Sequence, residues 1–309
     1  MIKTELIRFL NNAFPVQVAK GRYRKWFKEE LNLVAPQDLN AKVLWLSLFS
    51  DTREWSRLSD KYAVREFLRE RGCEQYLVKL YGKWDKIEDI DWDSLPKEFI
   101  LKSNTSCGLY KIVKDKKQLD LNAVKEELKA FIAPQKAPYS SEWHYQRIKP
   151  CIIAEELLKN DDTVKDISTT SIIDYKIWCF NGGPFNVFVG ANRTRTGLDC
   201  YLYTTEWKNI SENIVYGTHG DKPKTDEIPR PQNLKEMLEL AETLSAGFPL
   251  VRVDLYHIGG KVYFGEMTFT SNGGIMPYFD YQYCKEMGSH IDISMIKKDP
   301  EHWRGKGSY

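Results

Sequence analysis

The chain has 309 residues, 42% of them hydrophobic, 28% charged and 13% aromatic, the composition of a globular protein long enough for two domains or one large one. Lys and Arg number 45 against 43 Asp and Glu, and a net charge of +2 gives no global attraction to nucleic acid or to a membrane. No stretch approaches the ~20 apolar residues of a membrane span, Lys3, Glu5 and Arg8 interrupt the apolar start as no signal peptide would, and six scattered cysteines (73, 107, 151, 179, 200, 284) fit reduced thiols, so a cytoplasmic protein is expected.

Residues 1–58 read as helical and irregular. They include LWLSLFS (44–50), an apolar run that suits a strand. They also include the basic run KGRYRKWFK (20–28), which reads as a solvated helix face or as a peripheral contact with an anionic surface. SDKYAVREFLRERGC (59–73) marks a helix, with Ser59 as N-cap, Asp60 in the first turn, Ala63, Val64, Phe67 and Leu68 on one face and Gly72 as the stop.

A short strand near YLVKLYG (76–82) and a polar connection follow. Then EFILK (98–102) runs into the turn SNTSCG (103–108) and out along a second strand, LYKIVKD (109–115). Residues 118–132 read as helical, 133–150 as a loop, and CIIAEELL (151–158) as a strand ending in two carboxylates. DYKIWCFNGGPFNVFVGANR (174–193) forms a strand pair, followed by a long loop to about 232 and the helix NLKEMLELAETLSAG (233–247). A glycine hairpin, VRVDLYHIGGKVYFGEMTF (251–269), comes last before a polar tail. Hairpins mixed with helices, without regular βαβ alternation, argue for an α+β fold.

The hairpin carries charges inside apolar strands. A two-residue loop, Gly259 and Gly260, would point Asp254 and Glu266 to opposite faces. A three-residue loop, 258–260, would pair Arg252 with Glu266 and Asp254 with Phe264, sorting all three charges onto one face; this register is preferred. Two carboxylates so placed are either an Arg-balanced structural pair or ligands of a hard cation. Thr268, Ser271 and Asn272 add oxygen-bearing side chains suited to magnesium or phosphate. Lys102, at a strand end before a polar turn, suits a phosphate grip or a surface hairpin. In DYKIWCF alternation puts Asp174, Lys176 and Trp178 on one face. Arg193 and Arg195 suit an anionic substrate or an unliganded basic loop.

The order of these pieces resembles the ATP-grasp superfamily, and within it the TupA-like polysaccharide-biosynthesis members, over roughly residues 55–280. SDKYAVREF, FILKSNTSCG, DYKIWCFNG and the hairpin carry the resemblance. It implies two α+β lobes with ATP in the cleft between them: residues 59–155 as the smaller lobe and 156–309 as the core lobe, after an N-terminal segment 1–58. It further implies Lys61 and Lys102 on the phosphates, with Ser103, Asn104, Ser106 and Gly108 in the covering turn. Glu155 and Glu156 would hold the adenine end, and Asp174 and Lys176 would line the cleft. Asp254 and Glu266 would be ligands of Mg2+, with Arg252 at the transferring phosphoryl group. Thr268 departs from the superfamily's asparagine at that position.

The implied reaction is ligation of a carboxylate to an amine through an acylphosphate, with Arg252, Lys102 and Lys176 as catalytic cations and Arg193, Arg195, Ser271 and Asn272 toward the substrate. The resemblance points to an amino acid or amine joined to a uronic acid of a cell-surface polysaccharide. The partner expected is thus a small molecule or saccharide, with no nucleic acid. The five histidines do not cluster, which fits chemistry that needs no dedicated nucleophile. A carbohydrate kinase, a glycosyltransferase of the same pathway and a binding module with a degenerate nucleotide site are the alternatives.

Overall fold

The computed structural model describes residues 2–105, 108–133, 142–194, 197–217, 220–223 and 227–299. It opens with helices α1 (Ile2–Ala13), α2 (Pro15–Phe27) and α3 (Leu39–Phe49), then α4 (Arg53–Ser59) and α5 (Val64–Glu70). Pro15 sits in the first turn of α2, where its missing N–H costs nothing. Asp38 caps α3, its carboxylate accepting from the Ala41 N–H at 3.0 Å. The run 44–50, expected as a strand, lies in α3. That helix is buried on nearly every side, so it shows no amphipathic stripe, and periodicity does not separate it from a buried strand.

Ser59 closes α4 instead of capping the next helix. Asp60 Oδ1 accepts from the N–H groups of Tyr62 (2.8 Å) and Ala63 (3.2 Å) and leads the chain into α5, which ends before Gly72 in the left-handed region at φ 68°. The Lys61 N–H, between the two helices, donates to the Asn104 carbonyl at 3.1 Å and ties this corner to the smaller sheet.

That sheet is antiparallel, with order β1-β4-β2-β3, from β1 (Leu80–Trp84), β2 (Phe99–Ser103), β3 (Tyr110–Val113) and β4 (Ile152–Glu155). Alternation in β2 sends Phe99, Leu101 and Ser103 inward, where the two apolar side chains pack with Val124 and Leu128 of α6 (Leu121–Leu128), and turns Ile100 and Lys102 to the opposite face. Only part of the loop expected at 133–150 is described; residues 143–147 form a short 3-10 turn against α4.

The larger sheet, also antiparallel, has order β7-β6-β5-β8-β9, from β5 (Asp174–Phe180), β6 (Gly183–Ala191), β7 (Asp199–Thr204), β8 (Leu250–Ile258) and β9 (Lys261–Thr268). β7 corrects the expectation of one long loop from 194 to 232: Asp199–Thr204 pairs along β6 from Ala191 to Asn186 and buries Cys200 through Tyr203. The apolar face of this sheet packs on α7 (Leu234–Ser245) through Met237, Leu240, Ala241 and Leu244. α8 (Tyr281–Ser289) packs on α3, and α3, α4 and α5 share the core of the larger sheet. The fold is thus α+β, with two sheets contributing to one cleft. No helix among the described residues is long and apolar enough to cross a membrane.

Candidate active site

The charged hairpin is the floor of that cleft. Its turn is the two-residue Gly259-Gly260, at φ 58° and 73°, with Ile258 paired to Lys261; only glycine adopts two such conformations in succession at little cost. The three-residue loop preferred from the sequence is therefore corrected. The pairing then shifts by one residue between Asp254 and Leu255, at a bulge holding Gly265. A Cβ on Gly265 would lie 2.9 Å from the Asp254 carbonyl oxygen, so the bulge needs glycine. Beyond it Asp254 stands opposite Glu266 and Arg252 opposite Thr268. The charges share one face after all, but Phe264, expected opposite Asp254, pairs with Leu255, and Tyr263 lies opposite Tyr256.

β5 extends the row. Lys176 lies beside Asp254 and Trp178 beside Arg252, a pairing that alternation within DYKIWCF does not by itself fix. Asp254 is 2% exposed and nearly saturated: it accepts from Arg252 Nε (2.6 Å) and Nη2 (2.7 Å) and from Lys176 Nζ (2.7 Å). Arg252 also donates to the Ser271 hydroxyl (2.6 Å) and to Thr268 Oγ1 (3.1 Å), so its guanidinium is fixed on several sides. Burial works against its charge, but Asp254 and Glu266 outweigh that and push its pKa up.

Glu266 is more open, its side chain 31% exposed, and its cations stand farther off, Lys61 Nζ at 3.5 Å and Arg252 Nη2 at 3.4 Å, while the Thr268 hydroxyl donates to it at 3.1 Å. Burial would raise its pKa, yet Lys61, Arg252 and Lys176 hold it down at about 2. Three cations against two carboxylates leave the floor one charge positive, a surface suited to a polyanion. Tyr256 lines the same cleft, and burial, with Asp174, Glu266 and Asp254 nearby, keeps its hydroxyl protonated.

The smaller sheet supplies the other wall. Lys102 Nζ meets Glu155 Oε2 at 2.8 Å, and Glu155 Oε1 accepts from Arg65 at 3.1 Å; Arg65 also donates to the Val78 carbonyl at 2.8 Å. Glu155 is buried, so it holds Lys102 in place and does not project into the cleft, whereas its neighbour Glu156 does line it. Ser103 and Asn104 do not line it either. Ser103 donates to the Phe131 carbonyl at 2.9 Å, and Asn104 clamps Lys149 and Cys151 across the sheet, its Nδ2 donating to one carbonyl (3.1 Å) and its Oδ1 accepting the other residue's N–H (2.7 Å). Of the covering turn, Gly108 reaches the cleft; Ser106 lies outside the described residues, as does Arg195.

The cleft measures about 1310 Å³. Val78, Ile100, Ile112 and Leu157 add apolar surface to the lining, suited to a flat base. Asp174 accepts from Arg193 (3.0 Å) and lies 3.4 Å from Lys176, so the substrate-side arginine expected at 193 belongs to the same network. Ser271 bridges Arg252 and the Tyr278 hydroxyl (3.0 Å), and Asn272, at φ 49°, donates to the Ile275 carbonyl at 2.7 Å.

Arg65, Tyr256 and Arg22 are among the lining or supporting residues that the sequence did not single out. Arg65 was detectable, four residues after Lys61 in a marked helix. Tyr256, in the aromatic half of the hairpin, and Arg22, in the N-terminal basic run, carried no local signal.

Among the described residues no group of three or more His, Cys, Asp or Glu side chains could hold a metal. The donors present, Glu266, Asp254 and the Thr268 hydroxyl, do not make an all-protein cage. They fit a hard cation that arrives with phosphate oxygens of its own, the way Mg2+ is usually held.

No curated protein sequence matches the chain significantly. Solved structures with similar folds include the D-alanine–D-alanine ligase of Bacillus anthracis in complex with ATP, with 15% identity, a TM-score of 0.45 and coverage of 78% of this chain and 66% of that one. The D-alanine–D-alanine ligase of Helicobacter pylori has 14% identity, a TM-score of 0.45 and coverage of 84% and 68%. A D-cycloserine synthetase has 10% identity, a TM-score of 0.42 and coverage of 77% and 70%. The chain spans 66% to 70% of the length of these three proteins. A family model described as TupA-like ATPgrasp matches residues 41–292, and with the cleft, its cationic walls and its paired carboxylates in view, the chain belongs to the TupA-like ATP-grasp family.

Proposed function

We propose that the protein is an ATP- and magnesium-dependent carboxylate–amine ligase, cytoplasmic, that attaches an amino acid or amine to a uronic acid of a cell-surface polysaccharide or its precursor. The observation that carries the reading is the cross-strand row Lys176, Asp254 and Glu266, flanked by Arg252 and Thr268, on the cleft floor. Residues 59–155 serve in this reading as the lobe that covers the phosphates, and 156–309 as the core lobe. The exposed Lys20, Arg24, Lys25 and Lys28 suit a peripheral contact with an anionic surface.

In the first step a carboxylate oxygen of the acceptor attacks the γ-phosphorus of ATP, the bond to ADP breaks, and an acylphosphate forms. In the second the amine nitrogen attacks the acyl carbon and phosphate leaves. Lys61, Lys102 and Lys176 neutralise phosphate charge as it shifts, and because Glu155 and Asp254 already fix two of these ammonium groups, little reorganisation is needed. Arg252, clamped by Asp254, Thr268 and Ser271, presents a fixed guanidinium to the oxygens on which charge accumulates. Glu266, Asp254 and Thr268 would hold Mg2+, which supplies charge neutralisation between phosphates. No protein nucleophile is needed.

The test is calorimetric titration of a non-hydrolysable ATP analogue with and without magnesium, on the wild type and on the double variant Asp254→Asn/Glu266→Gln. Magnesium-dependent binding that the double variant loses is expected, and a folded wild type that binds no nucleotide sinks the proposal. Phosphate release on adding uronic acids with amines identifies ligation, whereas ADP formed without free phosphate identifies a kinase.

A further inference from the structure

The residues matched by the family model begin at 41, yet one side chain lining the cleft comes from well before them. Arg22 sits on α2 and donates from Nη1 to the Gly273 carbonyl at 3.1 Å, across 251 residues of sequence. The helix is seated firmly. Ala19 and Tyr23 are buried with Leu44, Leu48 and Ile275, and the Tyr23 hydroxyl donates to Asp38 at 2.6 Å and meets the Tyr281 hydroxyl at 3.2 Å. Arg22 therefore projects from a rigid base, unlike its exposed neighbours Arg24 and Lys25.

Its target is an unusual piece of chain. Asn272, Gly273 and Gly274 are all left-handed, at φ 49°, 66° and 81°. A Cβ on Gly274 would lie 3.0 Å from Leu44, so the turn is pressed against α3. Two arginines straddle it: Arg252 holds Ser271, and Arg22 holds Gly273. A guanidinium has five N–H donors, and one of Arg22's is committed to Gly273. Burial depresses the Arg22 pKa and the Glu142 carboxylate, which lines the same cleft, offsets this only in part.

We infer that Arg22, anchored on the 271–273 turn, forms a second anion subsite, which binds a carboxylate of the amine substrate while the reacting centre lies at Arg252. The substrate class follows: the amine is an amino acid, recognised by its own carboxylate, and not a simple amine. This deepens the ligase reading and rests on it for the identity of the reacting groups, although the subsite itself is open to measurement without catalysis. The N-terminal helices thereby become part of the site and set its specificity.

The experiment is saturation-transfer NMR and calorimetry on the full chain with a panel of L-amino acids and their matched carboxamides, for wild type, Arg22→Gln and Arg22→Lys, with thermal unfolding of each variant. At least one amino acid is expected to bind the wild type while its carboxamide does not. Arg22→Gln should weaken that binding roughly tenfold to a hundredfold, the loss of a charge-assisted contact, and Arg22→Lys should recover part of it. An amino acid and its amide that bind equally, an Arg22→Gln protein that binds like wild type at unchanged melting temperature, or no amino-acid binding by the wild type overturns the subsite. Nucleotide affinity of the wild type, titrated in parallel, separates the two readings: without it the ligase proposal fails, while the amino acid and amide comparison still stands.

Discussion

Replacing Asp254 by asparagine is expected to cost stability, whereas replacing Glu266 by glutamine is expected to cost magnesium-dependent nucleotide binding. Asp254 is buried and accepts three short charge-assisted bonds from Arg252 and Lys176, whose own side chains are only 10% and 12% exposed. Asparagine keeps the shape but turns an N–H2 toward a guanidinium or an ammonium and leaves Arg252 and Lys176 only their longer carboxylate contacts, to Glu266 and Asp174, each at 3.4 Å. Removing one partner of a buried ion pair costs about 3–5 kcal/mol, and because the cleft side is open to water the lower end applies. For a chain of this size that lowers the melting temperature by about 5 °C. Glu266 instead meets its cations at 3.4 and 3.5 Å, accepts from the Thr268 hydroxyl at 3.1 Å and is partly open, so its loss costs less than that of Asp254. Of the two carboxylates it is the more open to a cation, its side chain 31% exposed against 3% for Asp254. Calorimetric unfolding and titration of a non-hydrolysable ATP analogue, with and without magnesium, measure both effects on each variant. The reasoning fails if Glu266→Gln destabilises the fold more than Asp254→Asn, or if magnesium-dependent binding survives Glu266→Gln unchanged.

Gly265→Ala should cost about 1–3 kcal/mol through overpacking against the Asp254 carbonyl, and it should weaken magnesium-dependent nucleotide binding as the two carboxylates slip out of register; a urea midpoint and affinity both equal to wild type would refute the bulge argument. Glu155→Gln removes the partner of buried Arg65 and of Lys102, so a loss of about 3–5 kcal/mol together with weaker nucleotide binding is expected, measured by the same two methods. His144 is fully buried, and its ring nitrogens have no partner among the described residues. Burial, with Arg147 adding to it, depresses its pKa from 6.5 to about 3. The unfolded chain then binds a proton that the folded one refuses between those values, so this contribution to stability is fully present above pH 6.5 and is lost as pH falls toward 3. His144→Phe, which keeps the ring against Trp55, should flatten the dependence of the urea midpoint on pH between 7 and 4. A variant with the wild-type slope would show that another group sets it.

Much of the cleft face was legible because charge in an otherwise apolar strand has few places to go. Alternation and composition put Arg252, Asp254 and Glu266 on one face of the hairpin and Asp174 with Lys176 on one face of a separate strand, and each of the five lines the cleft. What local pattern did not carry was structure that depends on distant partners. The α3 run is apolar on all sides because Ile275 and the core of the larger sheet surround it, and burial of that kind erases the period that separates helix from strand. β7, six residues amid a polar stretch, is a strand because β6 offers it an edge. Asn104 and Glu155 looked like ligand-facing residues, yet the partners that claim them, Cys151, Lys149 and Arg65, lie between 45 and 90 residues away in sequence.

The hairpin shows how a right face can follow from a wrong register. Two demands compete there: the turn prefers two glycines with positive φ, and the charges must share the cleft side, since a lone buried carboxylate on the core face would cost several kcal/mol. An even pairing from a two-residue turn meets the first demand and breaks the second. Lengthening the turn satisfies the second, which is why sorting charges alone selects it. The chain satisfies both by inserting Gly265 after the aromatic pairs and before Glu266, so the outer half of the hairpin keeps the register of the turn and the inner half keeps that of the site. A glycine between Phe264 and Glu266 was the available signal. Because a Cβ there would press on the carbonyl of Asp254, the residue that permits the bulge also touches the backbone of the carboxylate it positions.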